Sequence, residues 1–259
     1  MVQQLQHLQQ KAMSFTKSIK KLIIEAQKQM SHSFDPLHDL RHVERVVDNT
    51  KNISKNIKLS QKERDALELA AWWHDVSRAL SNKPSMIWMA LFDDNLSAFA
   101  LLFYAIRHRV VSSVALKAFG MLMCNGMMTG KFMTKIFARK RTRLLLNLLK
   151  DADMMDIMNI NRFYEASQLA QMSKANLRKF RTLIWFNLHT KILQMKTIEA
   201  RVYIEEIMKD FITWFSEAEI YLWHAENFGE EWMEKTMARL KSNLNNIIEL
   251  NSISYAMTN

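Results

Sequence analysis

Leu67-Glu-Leu-Ala-Ala-Trp-Trp-His74-Asp75 is the dense apolar end of a helix, and two polar side chains close it. The helix opens with a capping box, in which Ser60 is the cap and Glu63 follows three residues later. An aspartate at the end of such a segment lies next to buried apolar surface, where an unpaired carboxylate costs several kcal/mol. Asp75 therefore needs a cation or hydrogen bonds, and a bound metal ion would meet that need.

The rest of the chain is also predicted to be helical. Its 259 residues include 4 glycines and 2 prolines, whereas average usage of about 7% and 5% would give roughly 31 in total. Strand-rich folds need tight turns, which glycine and proline form at a low cost in free energy. Phosphate-binding loops need glycine because their backbone must approach the phosphate closely. The composition therefore predicts an all-α protein, a compact multi-helix bundle with additional C-terminal helices.

Breaks in the apolar periodicity divide the chain into three parts. We predict N-terminal amphipathic helices over 1–30 that pack on the core, a helical core over 31–160, and a C-terminal helical extension over 161–259. Within the core, Asp35 and Pro36 are typical of a helix start, and that helix is predicted to reach about Asn56. The other core helices are predicted at 85–93, 95–109 and 111–124, and from Phe132 to about Ile160.

Cysteine usage and the N-terminal sequence favour a cytoplasmic protein. Cys124 is the lone cysteine, so neither an intrachain disulfide nor a thiolate zinc site can form. The first ten residues are polar and amphipathic, unlike a secretory signal. The best candidate for a membrane span, 110–129, contains Lys117 and two glycines, and we interpret it as a buried helix followed by a loop.

The net charge of +10 favours anionic partners. Six of the thirteen residues from Lys131 to Arg143 are basic and none is acidic. This segment can be a solvated helix face, a phosphate-attracting rim or a contact with anionic membrane. Binding to nucleic acid is disfavoured because no aromatic side chains are interleaved with these charges for base stacking. The sequence is compatible with a homo-oligomer.

Three predicted helices carry side chains that can ligate a metal ion. His38 and His42 lie four residues apart on one helix, His74 and Asp75 end the apolar helix, and Asp151-Ala-Asp153-Met-Met-Asp156 ends a third. A hard or borderline divalent cation is held by imidazole nitrogens and carboxylate oxygens that converge from rigid elements. The sequence therefore predicts a site with nitrogen and oxygen ligands.

These motifs resemble those of the HD-domain superfamily of metal-dependent phosphohydrolases. Bacterial members often open with His-Asp-x-x-His-x-x-Arg-Val, and His38-Asp39-Leu-Arg-His42-Val-Glu-Arg45-Val46 matches each named position. The dyad His74-Asp75 follows an alanine-rich apolar helix, as in the family, and 151–156 reproduces the last motif, Asp-Ala-Asp-x-x-Asp. The resemblance covers about 31–160 and implies an HD-type bundle.

The resemblance implies one divalent metal ion, which can be Mn, Mg, Fe, Co or Zn. Carried over residue by residue, its ligands would be His42, His74, Asp75 and Asp153. His38 would be a neighbour of the site, while Asp151 and Asp156 would orient ligands or cap helices. Dinuclear members need two further histidines between the dyad and the last aspartate, and His108 is the only one there, which favours a single ion.

The implied activity is hydrolysis of a small nucleotide or a related phosphoester or phosphoanhydride. Asp75 could accept a proton from the attacking water, and His108 and Arg78 could neutralise charge that develops on the phosphoryl oxygens. The dyad is followed by Val76-Ser77-Arg78 where many members have glycine. The alternative is a non-catalytic, metal- or nucleotide-binding regulatory helical protein.

Overall fold

The computed structural model describes residues 17–35, 37–80, 88–126, 130–137, 139–191 and 195–258. These residues form helices and no strand, which confirms the all-α prediction. In chain order the helices are α1 (17–30), α2 (Leu40–Ser54), α3 (Gln61–Trp73), α4 (Val76–Ala79), α5 (Trp88–Arg107), α6 (Ser113–Asn125), α7 (Gly130–Phe137), α8 (Lys140–Met155), α9 (Ile160–Gln171), α10 (Lys174–Phe186), α11 (Ile198–Phe215), α12 (Ala218–Phe228) and α13 (Glu230–Thr258). A 3₁₀ turn at Asp156–Met158 links α8 to α9, and a π-helical turn at Asn187–Lys191 follows α10.

The chain divides into two compact units, which are described separately. The first comprises Met1–Lys51 and Asn56–Leu149, and the second comprises Asn52–Lys55 and Lys150–Asn259. In the first unit, α1 buries Leu22, Ala26 and Met30 along one face, and the Trp73 indole nitrogen donates to the Leu22 carbonyl oxygen at 3.1 Å. This bond fastens α1 to the end of α3. The predicted N-terminal residues 1–16 lie outside the described residues.

The core of the second unit is aromatic. The Phe163 ring contacts the rings of Phe180, Phe211, Phe215 and His224 at centroid distances of 5.0 to 5.8 Å. The three Phe–Phe pairs are edge-to-face, and such pairs stabilise a core beyond the burial of their surface. Burial lowers the pKa of His224 below its ordinary value, so the neutral ring is favoured there. The C-terminal helices thus surround an apolar core of their own.

Helix boundaries differ from the predictions at two places, once because polar side chains find tertiary partners and once because a local cap begins a new helix. The predicted helices 85–93 and 95–109 are one continuous helix, α5. Polar residues within α5 make contacts with side chains outside this helix. Asp93 pairs with Arg78, and Asp94 accepts a hydrogen bond from Asn125 at 2.5 Å. Conversely, the single helix predicted over 132–160 is divided into α7, α8 and the 3₁₀ turn. Asn159 caps α9 there by accepting from the Arg162 backbone N–H.

The start of α2 also lies later than predicted. Asp39, rather than Asp35, holds the first turn of this helix, because its Oδ1 accepts from the His42 backbone N–H at 3.1 Å. Asp35 accepts instead from the Leu37 backbone N–H in the preceding turn. Pro36, the predicted first helical residue, lies outside the described residues.

The best candidate for a membrane span, 110–129, contains α6, in which Val114, Ala118 and others are buried. None of the described helices has the length and apolarity needed to cross a bilayer.

The predicted capping box of α3 is confirmed and carries an additional ion pair. Glu63 accepts from the Ser60 backbone N–H at 2.8 Å, and Arg141 Nε lies 2.7 Å from Glu63 Oε1. The hydrogen bond from Arg141, opposed by burial, lowers the pKa of Glu63 from its ordinary 4.5 to about 2. Glu63 therefore joins the start of α3 to the start of α8.

This ion pair predicts a pH dependence of stability. Because the folded-state pKa of Glu63 is lowered, its contribution is fully present above pH 4.5 and is lost as the pH falls toward 2. Glu63→Gln should lower the free energy of unfolding by about 1 kcal/mol at pH 7, and the difference from wild type should shrink across this window. Urea unfolding at a series of pH values measures this difference in the free energy of unfolding. Glu231→Gln, at an exposed pair with Lys235, is the control, and parallel profiles for wild type and Glu63→Gln would contradict the prediction.

Candidate metal centre

Two histidines and an aspartate from three chain segments meet in the first unit. His42 lies on the first turn of α2, His74 caps the C-terminus of α3, and Asp75 stands at the N-terminus of α4. All three are buried, with 0%, 3% and 6% of their surface exposed. The apolar end of α3 thus delivers the His74-Asp75 dyad into the interior, as the sequence indicates.

The potential ligand atoms of these residues lie within a few ångströms of one another. His42 Nε2 is 3.1 Å from His74 Nε2 and 3.2 Å from Asp75 Oδ2, and His74 Nε2 is 3.5 Å from Asp75 Oδ2. Ligand atoms about 2.0–2.2 Å from a tetrahedral ion are separated by roughly 3.3–3.6 Å. The observed separations of 3.1, 3.2 and 3.5 Å lie within about 0.2 Å of that spacing.

Hydrogen bonding orients the His74 lone pair toward this cluster. His74 Nδ1 lies 2.7 Å from the Ala71 carbonyl oxygen, which can only accept, so Nδ1 carries the proton. In the neutral ring, Nε2 then presents its lone pair to His42 and Asp75, which is the usual arrangement of a metal-binding histidine. Asp75 Oδ2 is buried and has no hydrogen bond of acceptable geometry among the described residues. The donor set therefore fits a divalent cation.

Asp153, the fourth predicted ligand, lies on α8 in the second compact unit, and its part in the site stays a prediction. Within the first unit, Asp75 Oδ2 lies within 3.5 Å of both histidine nitrogens. A group of two imidazoles and a carboxylate that could hold one metal ion is therefore present, and nitrogen and oxygen ligands of this kind suit Zn, Mn, Fe or Co.

Arg78, predicted to act on the phosphoryl group, lies among three carboxylates. Its Nη1 is 3.2 Å from Asp35 Oδ2, its Nε is 3.4 Å from Asp75 Oδ1, and its Nε also contacts Asp93 Oδ2 closely. The Arg78 side chain is only 14% exposed. By binding Oδ1 of Asp75, Arg78 leaves Oδ2 directed at the histidines, which makes it a residue that positions Asp75.

The charges around Arg78 separate the pKa values of its neighbours. Burial disfavours the charged form of Asp75, but the neighbouring histidines and Arg78 favour that form more strongly and hold its pKa well below the ordinary value. Burial, followed by the charge of Asp75, raises the pKa of Asp93 to about 9. The pKa values of the two aspartates are therefore pushed apart, and Asp75 is the more readily ionised of the two.

His38 borders the cluster. Its Nδ1 lies 2.9 Å from Asp35 Oδ2, and its ring meets the His42 ring edge-on at a centroid distance of 5.4 Å. Sequence reasoning missed the two aspartates of this network, Asp35 and Asp93. Asp93 could have been noticed, because an acidic residue within so apolar a helix as α5 needs a buried partner.

The remaining predicted residues make other contacts. His108 Nε2 lies 3.4 Å from Glu25 Oε2 on α1, and its ring stacks on Tyr104. Asp151 accepts hydrogen bonds from the Lys196 and Thr197 backbone N–H groups and so anchors the start of α11, whose N-cap is Thr197, although burial raises the pKa of Asp151. Asp156 pairs with Arg162 at 2.9 Å. The described contacts of His108 thus lie with α1 and Tyr104, and the two aspartates anchor helices.

An apolar groove of about 550 Å³ begins two residues after Asp75. Ser77 and Leu80 line one side, and the side chains of α5 that line it are Leu96, Phe99, Ala100, Phe103 and Tyr104. The Ser77 backbone N–H donates to Ser97 Oγ at 3.0 Å, which holds α4 against α5. Three aromatic rings therefore lie along one wall of a groove that starts close to the cluster.

Comparisons of this chain with protein-family models, with curated proteins and with solved structures gave no match. The geometry of the chain's own side chains is therefore what indicates a metal centre.

Proposed function

We propose that this protein is a metal-dependent phosphohydrolase of the HD type that acts on a small nucleotide. The observation that carries the proposal is the convergence of His42 Nε2, His74 Nε2 and Asp75 Oδ2 within 3.5 Å of one another in a buried site. The agreement of these residues with the order and spacing of the HD motifs supports the same reading.

The metal ion would be held by His42, His74, Asp75 and Asp153. When bound, a divalent cation supplies a Lewis acid that lowers the pKa of water and polarises a phosphoryl oxygen. Asp75, kept ionised by its charged neighbours, accepts the proton that water loses as its oxygen attacks phosphorus. The bond from phosphorus to the leaving oxygen then breaks. Arg78 holds Asp75 in place through its contact with Asp75 Oδ1.

The substrate class follows from the groove beside the dyad. Two residues of chain span at most about 7 Å, so the wall at Ser77 lies within reach of a ligand held at Asp75. Phe103, which is 57% exposed, offers a ring on which a nucleobase can stack, and stacking is tolerant of base identity. A nucleotide with its phosphate at the cluster and its base along α5 satisfies both features.

The test is phosphate release from a panel of nucleotides, with the metal that the purified protein contains. We expect metal-dependent release, and Phe103→Ala should raise KM about tenfold with little change in kcat, because stacking contributes about 1–3 kcal/mol per base. Phe132→Ala, at an exposed ring on α7 outside the groove, is the matched control. One metal ion per chain without turnover of any nucleotide would contradict the proposal and favour the regulatory alternative.

A further inference from the structure

Helix α10 in the second unit exposes both basic and large apolar side chains. Its inner side is occupied, because Phe180 and Ile184 are buried and the Phe180 ring contacts the rings of Phe163 and Phe228 at centroid distances of 5.5 and 5.1 Å. The larger side chains that α10 exposes to solvent are Lys174, Arg178, Lys179, Leu183, Trp185 and Phe186. We call these six residues the α10 surface.

The basic and apolar members of the α10 surface are separated along the helix axis. The three cations lie within 174–179, and the three apolar side chains lie within 183–186. Lys174, Arg178 and Trp185 follow one another at spacings of four and seven residues, which places them on one side of a helix. At 1.5 Å per residue, Arg178 and Trp185 are about 10 Å apart along the axis. The surface therefore has a basic first half and an apolar second half.

No acidic side chain balances these cations locally. The sequence from 166 to 198 contains no Asp or Glu and six basic residues. Among the described residues, Lys174, Arg178 and Lys179 form no ion pair. Arg181, the fourth cation of α10, donates to the Phe228 carbonyl oxygen and so joins α10 to α12. The charge of the α10 surface is therefore available to an anionic partner.

Trp185 contributes the largest apolar side chain of the α10 surface, and 57% of its area is exposed. Its ring stacks on His189 of the following π-helical turn at a centroid distance of 4.7 Å. Within the part of the chain that the structure describes, its indole nitrogen has no hydrogen-bond partner. Tryptophan is enriched at the boundary between apolar and aqueous phases, where the ring is apolar and the N–H stays hydrated. The exposed Trp185 ring is suited to such a boundary.

We propose that the α10 surface binds the headgroup region of a lipid bilayer that contains anionic phospholipid. The phosphate and carboxylate groups of such lipids attract Lys and Arg. Interfacial segments bury their apolar side chains about 5–10 Å into the boundary between headgroups and acyl chains. This depth agrees with the axial separation of Arg178 and Trp185, when the apolar half of α10 enters the bilayer and the basic half meets the headgroups.

The apolar members of the surface favour lipid over nucleic acid. Single-stranded nucleic acid is bound by aromatic faces and cations, whereas the exposed Leu183 offers it nothing and His189 already covers one face of Trp185. An acyl chain, by contrast, gains from contact with both side chains. This contact is peripheral, and it is independent of the proposed hydrolase activity.

The test is co-sedimentation of the full-length protein with vesicles of phosphatidylcholine, either alone or mixed with phosphatidylserine. We expect binding only to the mixed vesicles. Each cation near such a surface strengthens binding about fivefold, so Arg178→Gln/Lys179→Gln should bind at least tenfold more weakly. The matched control is Arg139→Gln/Lys140→Gln, which removes the same two charge types from exposed positions at the start of α8 and should retain wild-type affinity.

The apolar half is tested separately. Trp185→Ala should also bind at least tenfold more weakly, because it removes the apolar area that enters the bilayer. Phe132→Ala, at an exposed ring on α7, should leave binding unchanged. Trp185→Phe keeps an aromatic ring and should still bind, but brominated lipid should quench its tryptophan fluorescence less than that of wild type. Urea unfolding of each variant confirms that its fold is retained.

Four outcomes would overturn the proposal. Equal binding to both kinds of vesicle, or to neither, would exclude recognition of anionic lipid. Wild-type affinity in both Arg178→Gln/Lys179→Gln and Trp185→Ala would place the contact on another surface. An equal loss in Arg139→Gln/Lys140→Gln would show a non-specific effect of net charge. Binding of a single-stranded oligonucleotide that the α10 variants lose, without binding to vesicles, would assign the α10 surface to nucleic acid.

Discussion

Purified His74→Ala should contain almost no bound metal, and its phosphate release should fall by more than about a hundredfold. Mutations of groups that only orient a metal ligand cost about 10–100-fold in metal affinity or activity, and His74 itself presents a lone pair to the cluster. Elemental analysis after gel filtration, together with kcat for the best nucleotide, measures both effects. His42→Gln provides an independent variant whose side chain keeps nearly the original volume.

Two other histidines serve as controls for this experiment. His32→Ala changes an exposed ring and should alter neither metal content nor turnover. His38→Ala should keep the metal, because the described contacts of His38 are with Asp35, Arg78 and the His42 ring. If His38→Ala removed the metal while His42→Gln kept it, the ligand assignment would be wrong by one helical turn.

Arg78→Met should lower the free energy of unfolding by about 3–5 kcal/mol, because it removes the cation shared by three carboxylates and leaves buried charge uncompensated. Urea unfolding measures this loss. Metal affinity should fall as well, by about 10–100-fold, since Asp75 Oδ1 loses its partner. Methionine keeps much of the volume, so the effect reports on charge more than on packing.

Two further variants separate the role of the network from that of charge alone. Arg78→Lys keeps the charge but lacks the planar fork that reaches three carboxylates, so its losses should be intermediate. Arg41→Met removes an exposed arginine, whose side chain is 58% accessible, and should cost no more than about 1 kcal/mol. A loss for Arg78→Met as small as that for Arg41→Met would contradict the inferred role of Arg78.

Local patterns predicted the features that depend on neighbouring residues. The scarcity of glycine and proline indicated an all-α chain, and Ser60 with Glu63 indicated the start of α3. The apolar run before His74 indicated that this dyad would be buried. These inferences hold because helix periodicity and capping involve residues only three or four positions apart.

Contacts between distant residues could not be predicted in this way. Arg78 was assigned to substrate, yet its carboxylate partners lie 43 residues before it and 15 residues after it, at Asp35 and Asp93. The tie of Arg141 to Glu63 spans 78 residues. Such pairs depend on how the helices pack, and that packing cannot be derived from the local patterns of a single sequence.

The amino-acid sequence by itself determined the helical class of this protein, the residues that could bind a metal and their order along the chain. Only the tertiary structure decided that the nitrogen atoms of His42 and His74 would lie 3.1 Å apart and that Arg78 would hold Asp75. It also placed Arg141, at the start of α8, against Glu63 at the start of α3. The physical reason is that helix formation depends on local hydrogen bonds and periodicity, whereas the convergence of side chains depends on burying apolar faces against partners distant in sequence.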